Sequence, residues 1–432
     1  MVSVDPARCA ACGGCVSLCP VDAIHLAETR LVIYPSCIDC GHCVPACPMG
    51  ALSMDPGEQP VPWIASLDRH YDLVVVGAGP GGATAAWQAA ELGLSVLLLE
   101  KRQEIGSPVR CAEGVPAGSL AEFLEPDPAW VSARVDRAQI TAMANGKVVQ
   151  RWQGSGGTGY VLERRVFDRM LAERTAQAGG TVQVKTSVTG LIQENGRVCG
   201  VVVEWQGQRF EIEASVVIAA DGVESRVGTW AGLSTQIRLS DTMVCAQYLL
   251  AGIDWPADCL GYWIDEEVAP GGYAWVFPKG EGRANVGLGV QADCARQTAL
   301  TCLNRFVERE PALTVGSPVT LIVGNVPVAP SCSPWVTHGL MLVGDAARQV
   351  DPLTGGGIIQ AMIAGRMAAR IAAAALEAGD LSGQSLAEYQ RQYEQTLGRR
   401  QMRNYRLRER FPPGQRASPD FVRVFAMAAG SK

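Results

Sequence analysis

Eight of the fifteen cysteines fall in the first fifty residues, as two runs of one spacing. They read Cys9-x2-Cys12-x2-Cys15-x3-Cys19-Pro20 and Cys37-x2-Cys40-x2-Cys43-x3-Cys47-Pro48. Cys-x2-Cys pairs serve tetrahedral zinc as well as iron–sulfur groups. Zinc needs neither the third cysteine two residues further on nor the repeated Cys-x3-Cys-Pro ending. Three thiolates at this pitch wrap three corners of a cubane, and the proline after the fourth turns the chain away. A chain equipped in this way moves electrons one at a time.

A second constellation is Gly77-x-Gly79-x-x-Gly82, with Glu100 placed 23 residues after the first glycine. Gly77 permits a tight turn, Gly79 lets backbone approach a pyrophosphate, and Gly82 lets helix pack on strand. The helix start faces the phosphates and Glu100 accepts from ribose hydroxyls. Further on, Asp221-Gly222 and Gly344-Asp345-Ala346-Ala347 each end an apolar run. Asp351-Pro352-Leu353-Thr354-Gly355-Gly356-Gly357 follows. An acid at such a strand end can accept from a ribityl hydroxyl, and a glycine run opening a helix stabilises negative charge on a reduced ring.

Two more groups could meet a substrate. Cys111 stands in Arg110-Cys111-Ala112-Glu113-Gly114, as a proton donor, a redox partner or a small buried packing residue. Tyr273, Trp275 and Phe277, within Pro270-Gly-Gly-Tyr-Ala-Trp-Val-Phe-Pro278, alternate with small or apolar residues. On a strand they share one face. A stripe of this kind suits either core packing or a greasy tunnel. Cys199, Cys245, Cys259, Cys294, Cys302 and Cys332 have no ligand spacing, and the four histidines are scattered.

The elements that must position these groups are legible as alternating apolar strands and helices, the sign of a parallel sheet with crossovers. Strands are expected over Tyr71–Val76, Ser95–Leu99, Ser215–Ala220 and Leu340–Val343, with an alanine-rich helix over Ala83–Leu92 and another from Ile358. Residues 1–55 form a small duplicated α+β unit, and 56–70, rich in proline, a linker. The dinucleotide domain is expected over 71–115, 156–235 and 320–375. An antiparallel substrate domain is expected over 116–155 and 236–319, and a helical region over 376–432. In that last region Arg399, Arg403, Arg406 and Arg410 fall on one helical stripe, either a solvated face or a contact for anionic headgroups or a diphosphate. A terminal helix from Ser418 docks on the body through Phe421, Val424 and Phe425.

The cysteine runs resemble the bacterial two-cluster ferredoxins, in which each fourth cysteine crosses to the other cluster. That resemblance implies two [4Fe-4S] clusters, one on Cys9, Cys12, Cys15 and Cys47, the other on Cys37, Cys40, Cys43 and Cys19. The three glycine- and aspartate-bearing segments resemble the fingerprints of aromatic-hydroxylase-type flavoproteins, which implies FAD. Arg164-Arg165-Val166-Phe167-Asp168 looks like that superfamily's Arg-x-x-Phe-Asp segment, with Arg164 reaching the flavin. The intact Pro-x-x-Tyr-x-Trp-x-Phe-Pro, with the Cys111 loop, resembles the geranylgeranyl reductase family from about Tyr71 onward. The family implies reduction of isolated C=C bonds in a polyprenyl lipid or prenyl diphosphate, here fed by an external low-potential, ferredoxin-like donor.

Bulk properties agree with an enzyme of small molecules or lipids. The chain has 432 residues, 48% of them apolar, and a net charge of -6, which argues against nucleic acid. No run of roughly eighteen apolar residues is uninterrupted by charge, Ile358–Leu376 being broken by Arg366 and Arg370. The expected location is cytoplasmic, with or without a peripheral membrane contact. A competing reading is an iron–sulfur flavoprotein that hands electrons to a quinone and reduces no tail. A hydroxylase or halogenase of the same flavin fold fits poorly, since dioxygen chemistry degrades low-potential cubanes.

Overall fold

The computed structural model describes residues 2–54 and 67–430. Most of the expected linker lies outside them. In the N-terminal unit the hairpin Ile24–Ala27/Arg30–Ile33 and the short pair Ser3–Val4/Leu52–Ser53 frame two equivalent cysteine loops. The duplication extends to the backbone. Positive φ recurs at Ala11 and Asp39, Gly13 and Gly41, and Asp22 and Gly50, each pair at the offset of the cysteine runs. The unit sits on the body through Arg8 Nε, donating to Gln206 O at 2.8 Å, and Lys185 Nζ, donating to Cys9 O at 2.9 Å.

The first large sheet runs Thr181–Gln183, Val96–Leu99, His70–Val76, Gln208–Ala219, Arg197–Trp205, Ser187–Glu194, with Leu340–Leu342 beside Gln208–Ala219. It is parallel from Thr181–Gln183 through Gln208–Ala219 and on to Leu340–Leu342. It turns antiparallel at Arg197–Trp205 and Ser187–Glu194, so the sheet is mixed rather than wholly parallel. Strands such as Leu73–Val76 and Leu97–Leu99 are buried on both faces, as an apolar run without alternation requires. The helices Pro80–Glu91 and Ile358–Ala378 cross over this core. They approach so closely that a Cβ at Gly365 would run into the carbonyl of Gly81. Among the described residues Ile358–Ala378 is one helix long and apolar enough to span a membrane, and more than half of its apolar window is buried.

The second sheet has eight strands in the order Ser317–Pro327, Thr242–Ala251, Arg283–Gln291, Tyr273–Gly280, Cys259–Asp265, Val131–Ala144, Lys147–Leu162, Gly114–Pro116. All pairings are antiparallel except Cys259–Asp265 with Val131–Ala144. Three strands overrun the expected domain limits, Gly114–Pro116 among them, since its first two residues fall within the span expected for the dinucleotide domain. Lys147–Leu162 passes 155, and Ser317–Pro327 carries 320–327 into the second sheet, because continuous ladder bonding outlasts the composition change on which those limits rest. The terminal helix Pro419–Ala429 buries Phe421, Val422, Phe425 and Ala426 against this sheet. Val424, expected on the same side, is only half-buried.

Candidate functional site

The eight N-terminal cysteines lie in two groups of the kind that the ferredoxin resemblance implies. Cys9, Cys12, Cys15 and Cys47 line one small cavity together, so the last cysteine of the second run joins the first three. Cys43 correspondingly feels Cys40, Cys37 and Cys19. Backbone N–H groups point at the sulfurs in matching places. Ala23 N donates to Cys19 Sγ at 3.1 Å and Ala51 N to Cys47 Sγ at 3.2 Å. Such bonds stabilise electron-rich thiolates bound to iron. The donor set is all sulfur, which is the ligand chemistry that two cubanes need.

Between the two sheets lies a cavity of about 830 Å³. All the residues named above for flavin or substrate line it: Gly77, Gly79, Gly82, Glu100, Arg164, Asp221, Gly222, Asp345, Pro352 and Gly355–Gly357, with Cys111, Tyr273, Trp275 and Phe277. The glycines behave differently. A Cβ at Gly77 would strike Ala220 O, and φ there is +99°. A Cβ at Gly79 would meet no atom within 4 Å, only the open cavity. That opening fits a pyrophosphate. Glu100 is held by Ala78 N at 3.2 Å and Arg102 N at 3.0 Å. Asp221 is half committed, Oδ2 accepting from Val227 N at 3.0 Å while the buried Oδ1 has no partner among the described residues. A buried acceptor in that state suits a ligand hydroxyl. Burial pushes the carboxyls of Asp221 and Asp345 up from the ordinary range. Asp351 shapes the glycine turn, accepting from Leu353 N at 3.0 Å and Thr354 N at 3.1 Å, and Asn404 pins its other oxygen at 2.6 Å. These features fit FAD.

Facing the glycine turn is the strand Tyr273–Gly280. Its alternation sends Ala274 and Val276 into one core and Tyr273, Trp275 and Phe277 to the cavity. Tyr262 and Phe425 complete the box, with Tyr262 5.5 Å from Phe277 and Phe425 5.0 Å from Tyr273, ring centre to ring centre. Tyr273 Oη donates to Thr354 O, and burial holds its phenol well above its usual range.

Cys111 lines the same cavity, on a loop that packs against this stripe at Gly114 and is fixed by groups that no short motif contains. Glu113 has φ +73°, a costly conformation for a side-chain-bearing residue. Its N–H donates to Cys111 Sγ at 3.2 Å. Its buried carboxylate receives Arg164 N at 2.7 Å, Asn285 Nδ2 at 2.6 Å and Lys279 Nζ at 2.8 Å. Gln247 ties the other side, donating to Cys111 O at 3.0 Å and accepting from Trp275 Nε1 at 2.9 Å. Burial raises the Cys111 thiol above its ordinary value, so it is a neutral S–H. Arg164, expected to reach the flavin, lines the cavity with its guanidinium beside Cys111 and on Asp168 at 2.7 Å.

Lys279, Asn285, Gln247 and Tyr262 were not singled out in the sequence. Lys279 carried a signal, since it continues the period-two face of Tyr273, Trp275 and Phe277. The arginine stripe is a single exposed face. Arg399, Arg403, Arg406 and Arg410 are exposed, whereas Arg400 and Arg408, from other faces of the helix Arg399–Arg410, line the cavity.

Comparison with known proteins agrees with this geometry. Residues 241–326 match the geranylgeranyl reductase catalytic domain, 72–244 an FAD dependent oxidoreductase domain, and 1–48 a 4Fe-4S dicluster domain. The digeranylgeranylglycerophospholipid reductase of Methanocella arvoryzae is 48% identical over 346 residues, 79% of this chain and 88% of the relative. That of Methanosarcina acetivorans is 48% identical over 334 residues, covering 76% and 81%. The crystal structure of a geranylgeranyl bacteriochlorophyll reductase-like protein from Thermoplasma acidophilum superposes with a TM-score of 0.77 at 38% identity, covering 84% of this chain and 92% of that one. A myxobacterial chondrochloren halogenase, 21% identical with a TM-score of 0.65 and covering 84% and 91%, shares the fold.

Proposed function

Because this chain belongs to the geranylgeranyl reductase family, we propose that it saturates the isolated C=C bonds of a polyprenyl lipid, specifically a digeranylgeranylglycerophospholipid. One observation carries the reading. The Cys111 loop and the aromatic strand, tied to each other through Glu113 with Lys279 and through Gln247, line the same cavity as the dinucleotide fingerprint. When bound, FAD supplies hydride chemistry and the two [4Fe-4S] clusters supply electrons singly. The remaining tasks fall to side chains.

An unpolarised alkene takes a hydride on one carbon only as a proton reaches the other. The neutral thiol of Cys111 holds such a proton at Sγ, and the Arg164 guanidinium beside it offsets the thiolate left behind. Tyr273, Trp275, Phe277, Tyr262 and Phe425 exclude water and bind the tail through apolar area, worth about 25 cal/mol per Å². Their faces also stabilise positive charge developing at a tertiary carbon.

The lipid must come from a membrane, and one edge of the cavity is suited to meeting it. Ile322 to Val326 of the edge strand Ser317–Pro327 line the cavity, while Val319, Leu321 and Val323 of the same strand are 59%, 50% and 57% exposed. This rim rests on the bilayer. The donor is an external ferredoxin-like protein that meets the N-terminal unit.

The test is anaerobic incubation of the loaded enzyme with dithionite and digeranylgeranylglyceryl phospholipid, followed by mass spectrometry. Addition of two hydrogens per bond upholds the proposal. Quinone reduction with unaltered prenyl chains would replace it with electron transfer. Leu321→Glu should weaken flotation with anionic liposomes, and undiminished flotation removes the rim.

A further inference from the structure

Two buried arginines lie together at the cavity, one with carboxylates no nearer than 3.5 Å and the other with Glu266 close by but no ion pair among the described residues. Arg408 in the helix Arg399–Arg410 and Arg416 beyond it are 2% and 5% exposed, and both line the cavity. They converge on one neutral acceptor, Gln291 Oε1, at 2.8 and 3.5 Å. Arg416 otherwise donates to carbonyls, Phe411 O at 2.9 Å and Gly271 O, and forms no ion pair among the described residues. Arg408 donates to Ser240 O at 2.8 Å. Its nearest carboxylates are the exposed Glu409 at 3.5 Å and Asp241 at 3.9 Å, and Arg238 already holds Asp241 at 2.8 Å. No protein acceptor among the described residues takes the Arg408 Nε–H.

Bracing the C-terminal segment needs donors, not two like charges. A guanidinium removed from water is costly unless an anion meets it, and two on one acceptor repel each other as well. Burial and the charge of Arg408 together push Arg416 down to about 10. An anion in the cavity relieves both terms. Its position is also suitable, because Arg416 grips Gly271, two residues before Tyr273 on the way into the aromatic strand. From Tyr273 to Phe277 the strand spans about 13 Å.

We propose that Arg408 and Arg416 form a phosphate subsite that holds the head of the lipid while its tail lies along Tyr273, Trp275 and Phe277. This deepens the lipid-reductase reading and rests on it. The ligand chemistry is a phosphate ester, carried by a glycerophospholipid head or by a prenyl diphosphate. The exposed stripe of Arg399, Arg403, Arg406 and Arg410 lies outside the subsite.

Binding without turnover separates the two ideas. Dihexanoylglycerol phosphate and dihexanoylglycerol are titrated into the oxidised holoenzyme and followed by tryptophan fluorescence. The phosphate lipid should bind the wild type more tightly, and Arg408→Gln or Arg416→Gln should cut that preference tenfold or more. Arg416→Lys, which keeps the charge, should restore part of it. Geranylgeranyl diphosphate binding more tightly than the glycerol phosphate would assign the subsite to a prenyl diphosphate. No phosphate preference in the wild type, or a preference undiminished in both glutamine variants, overturns the subsite even if alkenes are reduced. Phosphate-selective binding with no alkene reduction leaves the subsite standing and removes the reductase reading instead.

Discussion

Lys279 Nζ lies 2.8 Å from Glu113 Oε2, both side chains sealed in the interior, and the pair joins the aromatic strand to the loop that carries Cys111. Lys279 also donates to Leu162 O. The ammonium is thus matched by the buried carboxylate of Glu113, the half-exposed one of Glu163 at 3.2 Å and one carbonyl, and the positive φ of Glu113 is maintained by bonds on both its oxygens.

Lys279→Met strands that carboxylate in a dry site. We expect a loss of about 3–5 kcal/mol in stability, of which Glu113→Gln in the same chain recovers part. Denaturant unfolding of the holoenzyme measures it, and a loss under about 1 kcal/mol would contradict the role given to the pair.

Cys111→Ala should keep its flavin and lose about a hundred- to ten-thousandfold in the rate of alkene reduction. The acid must be protonated to act, so activity is full below its folded pKa and falls as pH rises through it. Burial raises that pKa above the ordinary thiol value of 9.0, so the wild type should hold its rate through neutral pH and decline only above that value. A wild-type rate falling between pH 7 and 8, or an unaffected alanine variant, would assign the proton elsewhere.

Gly79→Ala and Gly77→Ala should part company. At Gly79 φ is -71° and the new methyl finds open cavity, so the protein should fold with an ordinary Tm but a reduced flavin-to-protein ratio. At Gly77 the methyl meets Ala220 O at a positive φ, and stability itself should fall. Absorbance at the flavin band against a thermal melt distinguishes them.

Gln247→Leu removes the link between Trp275 and the carbonyl of Cys111. Each orphaned partner costs about 1–3 kcal/mol. The Cys111 loop should loosen, seen as faster alkylation of its thiol by a small maleimide, and an unchanged alkylation rate would leave Gln247 a packing residue.

Cys47→Ser should damage the cluster of Cys9, Cys12 and Cys15 rather than that of its own run. Iron content should drop by half, and combining it with Cys9→Ser should remove no further iron. Additive losses would mean that the ligands do not cross.

The cysteine repeat, the glycine fingerprint and the aromatic alternation were legible because covalent spacing fixes their geometry. Cys-x2-Cys stays close in any fold, and residues two apart on a strand share a face. The two sheets were legible as classes, while their limits at 155 and 319 were not. A strand ends where its ladder partner ends, and the partners of Lys147–Leu162 and Ser317–Pro327 are distant in the chain.

What the sequence alone determined was the inventory: two sets of thiolates, a dinucleotide turn, a thiol and a greasy face. Only the tertiary structure decided the electrostatics around them. Lys279 and Glu113 stand 166 residues apart, and Arg408 and Gln291 117 apart. The strength of such a pair depends on how much water folding removes from it. Burial of this kind arises when sheets and helices close over a common cavity, and no local pattern of residues encodes it.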